Sequence, residues 1–284
     1  MILINGETND KVSARDRGLA YGDGVFETLA VVNNKIHNWD LHVNRLHDSL
    51  KRLKFPTIDE QLLLSRLNEL IEHSEFAIDN RFIIKLIITR GETQRGYQLP
   101  IKTVVSEVLF DSKWPDFANE YYINGIDIQE LSINLPNQPV LAGIKHLNRL
   151  EQVMAQAELD DVFQEGFLCN SDRQLISAIS GNLFVVYKDV LHVLNQQQSG
   201  ISGTIRQQII NHFKGLKRPV CNDLLDTEKL FYCSEVFLSN SIRGLWPVKS
   251  IQFKSGKIKK YKIGKVYRML SALINKELGY TNSL

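Results

Sequence analysis

Residues 143–153 read "GIKHLNRLEQV", and the fold and the chemistry both turn on how that stretch is read. It follows the proline-punctuated "NLPNQPVLA" and runs into "LNRLEQVMAQAEL", whose spacing predicts a helix. Lys145 therefore stands at a junction just before a helix. Most lysines are solvated surface charges. Position alone leaves open whether this one is a charge or a nucleophile.

On the N-terminal side, "MILING" predicts a short strand closed by an Asn5-Gly6 turn. "SARDRGLAYGDG" is expected to be a polar, glycine-punctuated loop, and "VFETLAVVNNKIHNW" two strands about Asn33-Asn34. Leu41, Leu46, Leu50 and Leu53 recur at helical spacing until Pro56, and a second helix is predicted over 58–74. "RFIIKLIIT" and "TVVSEVLF" predict strands on either side of the turn "RGETQRGYQLP". On the C-terminal side, a strand is expected in "YYINGIDIQEL" and a strand cluster from "EGFLCN" to "VLHV". Helices are expected to start near Ser202 and Tyr261.

The pattern is α+β in two domains. An N-terminal α+β domain spans 1–112, a linker 113–122, and a C-terminal α+β domain 123–284 carries Lys145. No internal repeat is present.

Composition narrows the classes. The 284 residues are 43% hydrophobic and 23% charged, as in a globular protein with a real core. A net charge of +2 gives no support for a nucleic-acid partner. The basic run "KSGKIKKYK" (254–262) is expected to be a solvated hairpin or a helix entry. Cys169, Cys221 and Cys233 lack CxxC or Cys/His spacing, so neither disulfides nor a metal site is expected, and a cytoplasmic location fits. "MILING" is too short for a signal peptide, and no stretch approaches a membrane span.

Three features would together suit an anion-bearing cofactor. Lys145 is the first. "GISGTIR" (200–206) is a small-residue turn leading into a helix, the geometry that offers N–H groups to a phosphate. "LSNSIRG" (238–244) supplies hydroxyl and amide donors after a strand. A lysine with two such loops suggests pyridoxal phosphate, although each loop taken singly is an ordinary turn or cap.

The motifs "DRGLAYGDGVFET", "HVNRL", "TRGETQRGY", "LAGIKHLNRLEQV", "SGNLFVV", "GISGTIR" and "EVFLSNSIRGLWPV" occur in that order over nearly the whole chain. In them the protein resembles the fold type IV pyridoxal-phosphate enzymes, which include branched-chain aminotransferases, D-amino acid aminotransferases and 4-amino-4-deoxychorismate lyases. The resemblance implies a cofactor in the cleft between the domains, a Schiff base on Lys145, and a homodimer with each site completed by the partner. It also implies that Arg45 binds the phosphate, with Ile201 and Ser202 at one phosphate loop and Asn240 and Ser241 at another. Asn182 is expected beneath the cofactor, and Thr28, Arg95 and Tyr97 around the substrate. "KHLNRLEQ" and Arg95-Gly96-Tyr97 are closest to the lyases, which release pyruvate to leave 4-aminobenzoate, a folate precursor. An aminotransferase, or a diverged and weakly active homologue, is the alternative.

One departure bears on that choice. The family carries a glutamate five residues before the asparagine of "NLF", where it pairs with the pyridine nitrogen; here the position is Ser177. A hydroxyl cannot hold a proton on that nitrogen by charge. The loss is expected to weaken the electron sink and to favour an elimination driven by aromatisation over amino transfer. Glu165 and Asp172 are out of register to replace it.

Overall fold

The structure, a computed structural model, describes residues 1–93 and 96–280. The chain forms two compact units. The first comprises Met1–Pro115 with Ile144–Asn148, and the second Asp116–Gly143 with the chain from Arg149 onward.

In the first unit the strands are β1 (Ile2–Ile4), β2 (Glu7–Thr8), β3 (Gly24–Val32), β4 (Lys35–Ile36), β5 (Arg81–Thr89) and β6 (Ser106–Lys113). They form an antiparallel sheet in the order β2-β1-β6-β5-β3-β4. Its helices are α1 (Arg17–Tyr21), α2 (Trp39–Arg52) and α3 (Glu60–His73). Asp40 in the first turn of α2 and Lys51 and Arg52 in its last turn oppose the helix dipole's end charges. Asp59 caps α3 by accepting the Leu62 N–H at 3.0 Å. Both helices bury one stripe: Val43, Leu46 and Leu50 from α2, and Leu63, Leu67, Leu70 and Ile71 from α3. Leu46 and Leu50 with the α3 stripe meet alternate residues of β3 and β5, Leu29 and Val31 with Phe82, Ile84 and Leu86, in one core.

The second unit holds α4 (Glu120–Ile123), β7 (Ile126–Leu135), α5 (Leu150–Glu158), β8 (Glu165–Asn170), β9 (Leu175–Ala178), β10 (Asn182–Tyr187) and β11 (Val190–Leu194). It continues with α6 (Thr204–Gly215), β12 (Val220–Asp223), β13 (Glu235–Asn240), β14 (Gly244–Gln252), β15 (Ile258–Lys260) and α7 (Lys265–Glu277). The sheet order is β12-β11-β10-β13-β14-β7-β8-β9, with β15 paired to β14. The basic run thus lies in the β14–β15 hairpin, its turn at Gly256. Among the described residues, no helix is long and apolar enough to cross a membrane.

Three expectations differ from the structure. The loop "SARDRGLAYGDG" contains α1, capped by Asp16 through the Gly18 N–H at 2.7 Å and ended by Gly22 at φ 64°. At five residues it is too short to show a period. The strand expected from Tyr121 starts only at Ile126. Before it, Tyr121–Ile123 sit in the helical turn α4, where Tyr122 is buried, stacked on Tyr280 and edge-on to Trp246. The third concerns the lysine expected on the C-terminal domain. The first unit's boundary at Pro115 falls inside the expected linker, but Ile144–Asn148 belongs to that first unit. The Phe26 N–H donates to the Lys145 carbonyl and the Leu147 N–H to the Gly24 carbonyl, both at 3.0 Å.

Leu67 is fully buried at the centre of the first core. Leu67→Ala should lower stability by about 2–5 kcal/mol with an unchanged urea m-value, measured by equilibrium denaturation.

Candidate functional site

The expected site residues divide between the units: Thr28, Arg45, Tyr97 and Lys145 on the first, and Ser177, Asn182, Ile201, Ser202, Asn240 and Ser241 on the second.

On the first unit, strand alternation sorts the chemistry onto two faces of the sheet. Phe26 and Thr28 project from one face of β3, and Lys85 is the cross-strand partner of Thr28. The Lys145 ammonium lies 4.1 Å from the Phe26 ring centroid and that of Lys85 lies 3.7 Å from it, so one aromatic ring gathers two amines. Burial lowers the Lys85 pKa, Glu27 resists, and the group settles at about 8. Lys85 escaped sequence reading, yet it left a signal, a single cation in the apolar run "FIIKLII" (82–88).

The opposite face carries a buried ionic cluster. Arg45 on α2 bonds Glu27 through Nε at 2.8 Å and through Nη2, while His42 Nδ1 lies 2.7 Å from Glu27 Oε2. Burial alone would raise the Glu27 pKa, but Arg45 and His42 outweigh it and hold the carboxyl at about 2. Burial pushes His42 below its ordinary value against the pull of Glu27, and Arg45 and Lys145 lower it further. The imidazole is therefore neutral at pH 7 and donates its Nδ1 hydrogen to Glu27. Glu27 fixes the plane of the Arg45 guanidinium.

Tyr97 is exposed and its ring packs at 5.4 Å on Tyr21. Arg95 lies outside the described residues.

On the second unit, α6 begins with no side-chain cap and no acidic residue in its first turn, so its N-terminal N–H groups and positive dipole end suit an anion. Asn182 shapes this start by donating from Nδ2 to the Ile201 carbonyl at 2.9 Å. A Cβ at Gly203 would stand 1.9 Å from Asn182 Oδ1, so the close approach requires glycine. Ser239 faces Asn182 across β10 and β13, and its buried hydroxyl lacks a hydrogen-bond partner. Asn240 builds the second turn, accepting from the Ile242 N–H at 2.8 Å and donating to the Ser180 carbonyl. An unpartnered hydroxyl beside an uncapped helix start fits a phosphate-bearing cofactor.

Ser177 is nearly buried on β9, opposite Leu168. Glu165 is held by Ser180 Oγ at 2.7 Å and Arg243 Nη2 at 2.5 Å, and Asp172 accepts from Asn137.

The profile described as "Amino-transferase class IV" matches residues 24–251. The chain belongs to the class IV amino-transferase family. It is similar to the aminodeoxychorismate lyase of Vibrio harveyi, 29% identical over 97% of this chain and all of that one. The crystal structure of 4-amino-4-deoxychorismate lyase from Pseudomonas aeruginosa superposes with a TM-score of 0.89, at 31% identity and full coverage of both chains. The branched-chain-amino-acid aminotransferase of Escherichia coli K12 is 27% identical over 88% of this chain and 84% of its own.

The Glu27 cluster sets an acid limit. A carboxyl held at about 2 rather than 4.5 contributes its full stabilisation above pH 4.5 and loses it as pH falls towards 2. That contribution is roughly 3 kcal/mol. Lowering of the His42 pKa acts in the same direction below its ordinary value of 6.5. Glu27→Gln should destabilise the protein by about 3–5 kcal/mol at neutral pH and flatten its acid limb, seen in urea midpoints measured against pH.

Proposed function

We propose that the protein is a pyridoxal-phosphate-dependent lyase that converts 4-amino-4-deoxychorismate to 4-aminobenzoate and pyruvate, a step towards folate. The observation that carries this is the placement of the Lys145 amine at the Phe26 ring, on the sheet face that presents Thr28 and Lys85. The full-length similarity to two proteins named as such lyases supports the choice of reaction.

Bound at Lys145, pyridoxal phosphate supplies an aldehyde for the substrate amine and a conjugated ring that takes up electrons from the carbon bearing that amine. The start of α6 at Ile201 and Ser202 would hold its phosphate, with Ser241 on the second loop; Arg45, oriented by Glu27, is the phosphate-binding arginine that the resemblance implies. Asn182 positions that start through Ile201, and Asn240 shapes the loop that carries Ser241. Lys145 Nζ removes the proton from the carbon bearing nitrogen. The enolpyruvyl carbon–oxygen bond then breaks, and Lys145 Nζ returns a proton to the departing enolpyruvate, which becomes pyruvate. Lys85, still mostly protonated at neutral pH, is a cation for a substrate carboxylate. Ser177 offers the ring nitrogen a hydroxyl without charge. Aromatisation of the product offsets that weaker support, and amino transfer has no such drive.

In this reading the protein is a cytoplasmic homodimer. Free Cys169, Cys221 and Cys233 suit a reducing compartment. The exposed run of Tyr97, Leu99, Ile101 and Val104 supports a second copy as its cover.

Purified protein with added pyridoxal phosphate should release pyruvate and 4-aminobenzoate from 4-amino-4-deoxychorismate without a keto-acid acceptor, and Lys145→Ala should abolish the release. Amino transfer to a keto acid with no pyruvate released would instead make the protein an aminotransferase. Ser177→Glu should raise side transamination, measured as keto-acid amination. No gain would remove the electron-sink explanation of the lyase preference.

A further inference from the structure

β11 and β12 run parallel at one edge of the second unit's sheet, with His192 opposite Cys221 and Leu194 opposite Asp223. Residues opposite each other, or two apart along a strand, share a face. His192, Cys221 and Asp223 therefore converge, and their imidazole, thiol and carboxylate donor atoms all lie within 4.8 Å of one another. His192 Nδ1 is 2.6 Å from Asp223 Oδ2. The imidazole is nearly buried, whereas the Asp223 side chain is 41% exposed, so the cluster is walled on one side and open to water on the other.

The other two cysteines are a contrast. Cys169 and Cys233 are buried, burial pushes both thiols up to about 12, and Cys233 donates to the Lys229 carbonyl. Cys221 alone is partly exposed and has a histidine and a carboxylate beside it.

We propose that His192, Cys221 and Asp223 form a zinc site, with a water as fourth ligand, that ties the edge strand β12 to β11. One nitrogen, one thiolate sulfur and one carboxylate oxygen are a donor set for a borderline-soft divalent ion, and the thiolate disfavours magnesium and calcium. Zinc takes the place of the hydrogen between Nδ1 and Oδ2. Two ligands on a tetrahedral ion at about 2.0–2.1 Å stand roughly 3.3 Å apart, so the pair opens slightly. The imidazole then carries its hydrogen on Nε2, and the Cys221 thiol proton leaves to solvent. Because β12 pairs on one side only, the ion's role is structural, at a strand that hydrogen bonds hold from one side.

The site is independent of the proposed lyase reaction, and its test needs no substrate. Full-length protein is treated with chelator, dialysed against zinc and analysed for bound metal, and its melting temperature is followed with added zinc. One zinc per chain and a rise in melting temperature are expected. Cys221→Ser and His192→Ala, each with an unchanged far-ultraviolet circular dichroism spectrum, should weaken zinc binding by at least about tenfold and lose the rise. Cobalt should add a thiolate charge-transfer band that Cys221→Ser lacks. Substoichiometric binding, or equal binding by the wild type and the Cys221→Ser/His192→Ala double variant, would overturn the proposal.

Discussion

Lys145, the lysine of the proposed chemistry, is placed by two main-chain hydrogen bonds. The Phe26 N–H to the Lys145 carbonyl and the Leu147 N–H to the Gly24 carbonyl pin residues 144–148 to the start of β3. Each joins residues more than 110 positions apart. Neither depends on side-chain identity at Lys145, so the backbone carries the amine to Phe26 whatever its charge. Ile144 adds an apolar anchor in the first core. The short segment is thereby held at both its backbone and its hydrophobic end.

The same strand then works through both its faces. Residues of one parity, Val25, Leu29 and Val31, enter the core beneath α2 and α3, and Glu27 stands among them as a buried charge. An isolated carboxylate there would be prohibitive, and Arg45 with a neutral His42 makes it tolerable. Phe26 and Thr28, of the other parity, face the two lysines. One nine-residue strand thus sets the orientation of Arg45 on one side and the surroundings of Lys145 on the other.

Ser177 is the contrasting case, a buried hydroxyl on β9 where the resemblance implies a carboxylate. Glu165, on the neighbouring strand β8, is committed to Ser180 and Arg243, whose guanidinium also stacks over Trp246. Releasing it would strand a buried arginine. The second unit therefore keeps Glu165 for the electrostatics of its own core, and in the proposed reading the ring nitrogen meets a hydroxyl. That is consistent with a reaction whose product gains aromatic stability and asks less of the cofactor.

Much was legible in the sequence. The stripes of α2 and α3 and the ordered motifs are local signals, since periodicity and turn chemistry act within a few residues. Lys145, Arg45 and Ser177 were singled out because their neighbours in sequence mark them. The five-residue helix α1 has no period to show, and aromatic, strand-like Tyr121–Ile123 became a helical turn because Tyr122 packs on Tyr280, over 150 residues away. Lys85 at Phe26, Glu27 beneath Arg45, and His192 against Cys221 are pairings set by strand register and by helix-on-sheet packing. The sequence by itself determined which elements form and which residues are chemically able. Only the tertiary structure decided which of them meet, because contacts across a sheet depend on register and burial that no local spacing records.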